Sequence, residues 1–95
     1  MKDLSIALLL DIYGELLNDK QLRIAKDYFF DDLSLSEISE NEGISRQGAH
    51  EAIKRCEQLL RFYEDKLHIL EITSNLKSAA ENKDTDTIYK IIEKL

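Results

Sequence analysis

The stretch from Leu33 to Arg55, LSLSEISENEGISRQGAHEAIKR, constrains the fold more than any other part of this 95-residue sequence. It places one short amphipathic segment on each side of Gly43, and each segment opens on a serine. Glycine is the residue that most readily adopts the left-handed backbone conformation in which a helix ends. The pattern therefore predicts two helices that meet at a sharp turn, as in a helix-turn-helix motif.

The residues around this turn agree on where each helix begins and ends. Ser34 and Glu37 have the spacing of a capping box, in which each of the two side chains accepts a hydrogen bond from the backbone amide of the other residue. Gly43 ends the first helix of the motif, and Ser45 is expected to cap the second. The predicted core positions of the motif are Leu35, Ile38, Ile44, Ala49, Ala52 or Ile53, and Cys56.

The outward face of the second helix carries side chains suited to contact with nucleic acid. Arginine and glutamine pair with the edges of guanine and adenine, and lysine neutralises a phosphate. The candidate residues for contact with a nucleic acid or another partner are Arg46, Gln47, His50, Lys54 and Arg55. An ordinary solvated helix face has a similar composition, so the pattern leaves DNA, RNA and protein partners open.

The charge of the chain opposes strong attraction to phosphate. The sequence holds 13 Lys and Arg against 19 Asp and Glu, for a formal net charge of -6. Residues 45–61 are the exception, because they hold four basic and two acidic side chains. Four glutamates in the motif would weaken binding to phosphate: Glu37, Glu40, Glu42 and Glu51. A dimer would offset this weakness by presenting two recognition helices.

The rest of the sequence predicts an all-α fold of five helices. The chain has no proline and only three glycines, which favours helices throughout. Two helices are expected before the motif, one over Leu4–Leu17 capped by Asp3 and one that Asp19 caps and that runs through Phe30. The expected organisation is a single helical domain over 1–95, with the helix-turn-helix at 34–56 and a long helix and a C-terminal helix in 57–95.

The fourth helix is predicted to be unusually long. No stop signal appears from Arg46 until about Asn82, and the apolar residues keep a helical spacing over this range. A stripe of this length needs a partner, so a homodimer is expected along a seam of Tyr63, Leu67, Leu70 and Leu76. A terminal helix from Thr85 or Asp86 is expected to cover part of the stripe, with its inward residues at Ile88, Ile91, Ile92 and Leu95.

The residue pattern contains no catalytic constellation, no metal-ligand spacing and no phosphate-binding loop, so the prediction is a non-enzymatic protein without a cofactor. Cys56 is the only cysteine and lies on an inward position, which predicts a small buried hydrophobe. His68 is expected to be exposed. No segment approaches the roughly 18 uncharged apolar residues that a membrane span requires. The first twenty residues do not resemble a secretory signal, and a cytoplasmic location is expected.

The segment from Leu8 to Leu67 resembles the bacterial YlxM family, whose domain is similar to region four of sigma factors. The resemblance covers about two thirds of the chain. It is carried by Tyr13, Leu16-Leu17, Lys20-Gln21, Tyr28, Asp31-Asp32, Leu35, Glu37-Ile38, Ile44-Ser45-Arg46-Gln47, Ile53-Lys54-Arg55 and Glu64. One position departs from the family, because Gly48 stands where alanine is common.

The resemblance implies a role in protein targeting. Genes of the family typically lie beside those for the signal recognition particle protein and its receptor. A regulatory or accessory protein of that pathway is therefore the first functional hypothesis, with the particle's protein, its RNA or both as partners. The second hypothesis is a dimeric DNA-binding transcriptional regulator that reads its site with Arg46, Gln47 and His50.

Overall fold

The computed structural model describes residues 3–95, and all regular structure in that range is helical. The predicted all-α helix-turn-helix class is confirmed. Six α-helices occur in the described residues where the sequence predicted five. They are α1 (Leu4–Tyr13), α2 (Asp19–Phe29), α3 (Leu35–Glu42), α4 (Arg46–Leu67), α5 (Ile69–Glu81) and α6 (Thr85–Glu93), with a 3₁₀ turn at Gly14–Leu16 after α1.

The predicted turn of the helix-turn-helix is confirmed in detail. Gly43 has φ 67°, in the left-handed region, and its amide donates to the carbonyl of Glu40. Ser34 and Glu37 form the capping box at the start of α3, and the Ser45 side chain caps α4. Ile38 and Ala49 are completely buried, so the inner faces of α3 and α4 close on each other.

Two adjoining clusters make up the core. The smaller one joins α2, α3 and α4 through Ile24, Ile38, Ala49 and Ile53. The larger one lies between α1, α2 and α4, and its members are Ile6, Leu9, Leu10, Tyr13, Leu17, Ala25, Cys56 and Leu60. Because α4 contributes to both clusters along one face, its opposite face is left to solvent.

The prediction of one uninterrupted fourth helix was wrong, because the helix ends at Leu67 and a new one begins at Ile69. His68 adopts φ 55° at the corner between them, and its side chain is exposed as predicted. The free amides that start α5 are satisfied from outside that helix. Glu64 accepts from the amides of Leu70 at 3.0 Å and Glu71 at 3.1 Å, and the Tyr13 hydroxyl accepts from the amide of Ile69 at 3.1 Å.

The limits of α1 and α2 also differ in part from the predictions. The regular part of α1 ends at Tyr13, and the expected remainder forms the 3₁₀ turn. The cap of α2 is Asn18 instead of Asp19, because the Asn18 and Gln21 side chains form a capping box. The confirmed cap of α1 is Asp3, whose carboxylate accepts from the amide of Ser5 at 2.9 Å.

Less of the terminal helix is buried than the sequence predicted. Asp84 caps α6, and the helix packs against α5. Ile88 and Ile91 are half-buried, whereas Ile92 is 51% exposed and Leu95 75% exposed. The prediction that the last two point inward was therefore wrong. The reason is that packing against a single helix covers one narrow face of α6 and leaves the flank with Ile92 and Leu95 open.

Candidate contact surface on the helix-turn-helix

The second helix of the motif, α4, is oriented by its buried face. Ala49, Ile53, Cys56 and Leu60 recur at intervals of three and four residues and are all buried. The five predicted contact residues fall outside this stripe and are all exposed. We call this set, Arg46, Gln47, His50, Lys54 and Arg55, the contact face.

Most of the contact face is available to a partner. Within residues 3–95, no side-chain hydrogen bond or ion pair engages Arg46, His50, Lys54 or Arg55. Gln47 is partly engaged, because its Nε2 donates to Glu51 Oε1 at 3.3 Å. A long hydrogen bond between two exposed side chains is exchanged readily for a partner group.

The start of α4 is held by the predicted cap residues. The Ser45 hydroxyl accepts from the amide of Gly48 at 2.9 Å, which directs the first turn of the helix. At the start of α3, the Ser34 hydroxyl accepts from the amide of Glu37 at 3.1 Å, while the Glu37 carboxylate accepts from the amide of Ser34 at 3.1 Å. Ser34, Glu37, Gly43 and Ser45 therefore position the contact face without belonging to it.

An ion pair ties α2 to the end of α3. Arg23 donates twice to Glu42, from Nε to Oε2 at 2.8 Å and from a terminal nitrogen to Oε1 at 2.7 Å. The Glu42 side chain is only 7% exposed and that of Arg23 is 54% exposed. The hydrogen bonds from Arg23 hold the pKa of Glu42 below its ordinary value.

One of these contacts weakens the electrostatic objection to phosphate binding. Glu42 is neutralised by Arg23, Glu37 is engaged in the capping box, and Glu51 accepts from Gln47. Three of the four glutamates that oppose phosphate thus already have partners in the fold. In these contacts only the charge of Glu42 is offset, because the donors to Glu37 and Glu51 are neutral amides that leave both negative charges in place.

The predicted seam is divided between the core and the surface. Tyr63 and Leu70 pack against the larger core cluster, and the Tyr63 ring lies 6.1 Å from that of Tyr13. Leu67 is 49% exposed, and Leu76 is half-buried on α5. The four residues do not form one straight stripe, because the corner at His68 separates the first two from the last two.

Sequence reasoning missed the pairing of Tyr13 with Glu64. The Tyr13 hydroxyl donates to Glu64 Oε1 at 2.6 Å, across 51 residues of chain. Burial raises the pKa of Tyr13, and the hydrogen bond to Glu64 raises it further. Burial also acts to raise the pKa of Glu64, but the hydrogen bonds from Tyr13, Leu70 and Glu71 outweigh it and leave that pKa lowered. The sequence signal that could have pointed to this pair is that Tyr13 and Glu64 are both among the residues that carry the family resemblance.

Cys56 is a buried free thiol, as predicted. It donates to the Gln21 carbonyl at 3.6 Å, and burial raises its pKa to about 11. A thiol with so high a pKa is a poor nucleophile, since the thiolate is the reactive form.

Across the described residues 3–95, no group of three or more His, Cys, Asp and Glu side chains is arranged to hold a metal ion. In the same range, no helix has both the length and the apolar content to cross a bilayer.

Comparison with known proteins identifies similar chains. Residues 1–94 match the model of the UPF0122 family, described as "Putative helix-turn-helix protein, YlxM / p13 like". A UPF0122 protein of Clostridium kluyveri is 49% identical over 78 residues, which span 82% of this chain and 68% of that protein. A UPF0122 protein of Fusobacterium nucleatum is 43% identical over 94 residues, covering 95% of this chain and 91% of the relative. A third, of Malacoplasma penetrans, is 51% identical over 93 residues, covering 96% and 87%.

Proposed function

Because this chain belongs to the UPF0122 family of YlxM/p13-like helix-turn-helix proteins, we propose that it is a regulatory or accessory protein of the signal recognition particle pathway. The contact face carries the proposal. It presents Arg46, Lys54 and Arg55, none of which has a side-chain partner among residues 3–95, on a chain of net charge -6. Unpaired cations on a rigid helix are suited to anionic surfaces. The choice of the targeting pathway rests on the gene neighbourhood that the family resemblance implies.

Protein contact is favoured over RNA contact at this surface. The major groove of A-form RNA is deep and narrow, and a helix cannot enter it to read bases. Contact with the particle's RNA would therefore run through its phosphate backbone, which the three cations of the contact face are able to neutralise. The partner in this proposal is the targeting GTPase, with backbone contact to its RNA as a supporting interaction. The place of action is then the cytoplasm.

A pull-down with the purified particle protein, with and without its RNA, tests the proposal. We expect association at low salt and its loss in the variant Arg46→Ala/Lys54→Ala/Arg55→Ala. The matched control removes three exposed cations elsewhere, by Lys77→Ala, Lys83→Ala and Lys90→Ala, and is expected to bind like the parent protein. Absence of association at low salt, or equal loss in both variants, would contradict the proposal.

A second candidate is a dimeric DNA-binding transcriptional regulator. It is favoured by the position of Arg46, Gln47 and His50 at the N-terminal end of α4, the part of a recognition helix that reaches base edges. In a mobility-shift scan of promoter fragments, Arg46→Ala is expected to cost roughly 1–3 kcal/mol and to relax the preference at one base position. No retarded band at about 50 mM salt, where phosphate contacts are strong, would remove this candidate.

A lysate pull-down with and without nuclease distinguishes the two candidates. A partner that survives both RNase and DNase supports the targeting role. A partner set that is lost on DNase treatment supports the regulator instead.

A further inference from the structure

A groove lies between the end of α1, the 3₁₀ turn and α2, and none of its lining residues belongs to the contact face. It encloses about 450 Å³, within the range of roughly 300–1,000 Å³ that ligand sites occupy. We call it the α1–α2 groove. Neither the fold nor the proposed function assigns it a role.

The inner part of the α1–α2 groove is apolar. Leu10 and Leu22 line it, and Gly14 brings them together, because a Cβ at Gly14 would lie 3.1 Å from Leu22 Cδ1 and 3.3 Å from Leu10 Cδ1. Phe30 closes one side and is 46% exposed, so part of its ring is open to a partner. Leu10 is only 2% exposed and forms the floor, so an apolar side chain of a partner would gain burial mainly against Leu22 and Phe30.

The rim of the α1–α2 groove is acidic. Asp11, Glu15 and Asp31 line it together with one cation, Lys26. The three carboxylates are exposed, and no side-chain hydrogen bond or ion pair in residues 3–95 engages them. Like charges gathered around one groove repel each other, and a cationic ligand relieves that repulsion.

We propose that the α1–α2 groove docks a basic amphipathic helix of a partner protein. The partner's apolar face would lie on Leu22 and Phe30, and its Lys or Arg side chains would flank them beside Asp11, Glu15 and Asp31. The acidic rim repels nucleic acid. A second copy of this chain fits poorly, because its one locally basic segment, residues 45–61, is occupied on its apolar side by its own core. The contact face and the groove are thus two surfaces that serve two different partners or two parts of one.

A labelled synthetic helix with leucines at i, i+3, i+4 and i+7 and lysines elsewhere serves as the probe. Fluorescence anisotropy measures its affinity, and amide NMR shifts locate it. We expect shifts at Leu10, Gly14, Leu22 and Phe30. The variant Asp11→Asn/Glu15→Gln/Asp31→Asn is expected to weaken binding by about tenfold, the combined effect of three exposed charge pairs. Phe30→Ala, which removes a side chain that is 46% exposed, is expected to weaken it also.

The control variant is Glu81→Gln/Asp86→Asn/Glu93→Gln, which removes the same number of negative charges from α5 and α6. It is expected to bind the probe within about twofold of the parent protein, since long-range attraction between exposed charges is screened. The proposal is overturned if the probe does not bind, if both triple variants lose affinity alike, or if a scrambled peptide of equal composition binds as well. It is also overturned if the groove variant changes the oligomeric state, which would make a second copy the occupant. None of these outcomes depends on the targeting particle, so the test is separate from that of the proposed function.

Discussion

Gly43 and Gly48 stand on either side of the Ser45 cap and bear on the stability of the motif in opposite ways. At Gly43 the backbone is left-handed, with φ 67°, and nothing lies within 4 Å of an added Cβ. The cost of a side chain there is backbone strain alone. At Gly48 the backbone is helical, and the nearest atom to an added Cβ is Ser45 Oγ at 3.2 Å. That oxygen belongs to an exposed side chain, which is able to shift.

Gly48→Ala is expected to raise the free energy of unfolding, because alanine gains up to about 1 kcal/mol over glycine in a helix. Gly43→Ala is expected to lower it by about 1–2 kcal/mol, the cost of a left-handed conformation with a Cβ. Urea unfolding followed by circular dichroism measures both. A loss of stability in Gly48→Ala would mean that the contact with Ser45 disrupts the cap of the recognition helix.

At the scale of the elements, the corner between α4 and α5 depends on two side chains. Glu64 near the end of α4 caps the start of α5, and Tyr13 from α1 contacts both Glu64 and the Ile69 amide. A helix start needs partners for its free amides, and here they come from elements that precede α5 in the chain. We expect this polar contact between α1 and α4 to help set the direction of the α5–α6 pair relative to the helix-turn-helix.

A double-mutant cycle with Tyr13→Phe and Glu64→Gln tests the contribution of this hydrogen-bond network. Each single change is expected to destabilise the fold, and the pair is expected to show a coupling of about 0.5–3 kcal/mol, as for contacting residues in one hydrogen-bond network. Amide exchange at Ile69, Leu70 and Glu71 is expected to accelerate in both single variants. Additive effects on unfolding would show that the two side chains act independently and that the corner is held by apolar packing.

The free energy of unfolding at acidic pH is expected to depend on Glu64. Its pKa in the folded protein lies below the ordinary value of 4.5, so the folded state prefers the ionised form. The resulting stability is present above pH 4.5 and is lost as the pH falls through the lower folded pKa. Unfolding experiments between about pH 6 and pH 3 should show this loss, and Glu64→Gln should reduce the slope. Glu40→Gln, at an exposed position on α3, is the control; an equal change of slope in it would contradict this assignment.

The whole molecule is elongated, with extents of 53 × 23 × 16 Å. The end of α6 lies beside the α4–α5 corner, and this region exposes Leu67, Ile69, Ile92 and Leu95 to at least 40% each. Exposed apolar side chains grouped on one part of a surface are typical of association sites. The proposed homodimer would use this region, because Tyr63 and Leu70 of the predicted seam pack against the core of their own chain.

Light scattering at micromolar concentration is expected to show a dimer of the 11.0 kDa chain. Leu67→Glu is expected to weaken the dimer, since it places a charge in a surface that would otherwise be buried. Leu4→Glu, at an apolar residue of α1 that is 65% exposed, is the matched control and is expected to leave association unchanged. A species of 11.0 kDa alone in the parent protein would exclude the dimer at that concentration.

The sequence by itself determined the parts of this protein that depend on neighbours along the chain. The capping box of Ser34 and Glu37, the left-handed Gly43 and the Ser45 cap each involve residues at most four positions apart, and all were predicted correctly. The buried positions Ile38 and Ala49 followed from helical spacing. The exposure of the contact face followed as well, because the face opposite a buried stripe is left to solvent.

Only the tertiary structure decided where distant groups meet. The break at His68 depends on Tyr13, whose hydroxyl meets the Ile69 amide across 56 residues, and no local pattern encodes that contact. The neutralisation of Glu42 by Arg23 and the exposure of Leu95 likewise follow from which helices lie side by side. Local hydrogen bonds and helical periodicity depend on residues that lie close together in the sequence. The satisfaction of a buried polar group depends on the packing of the whole chain, and that packing set the corner that separates α4 from α5.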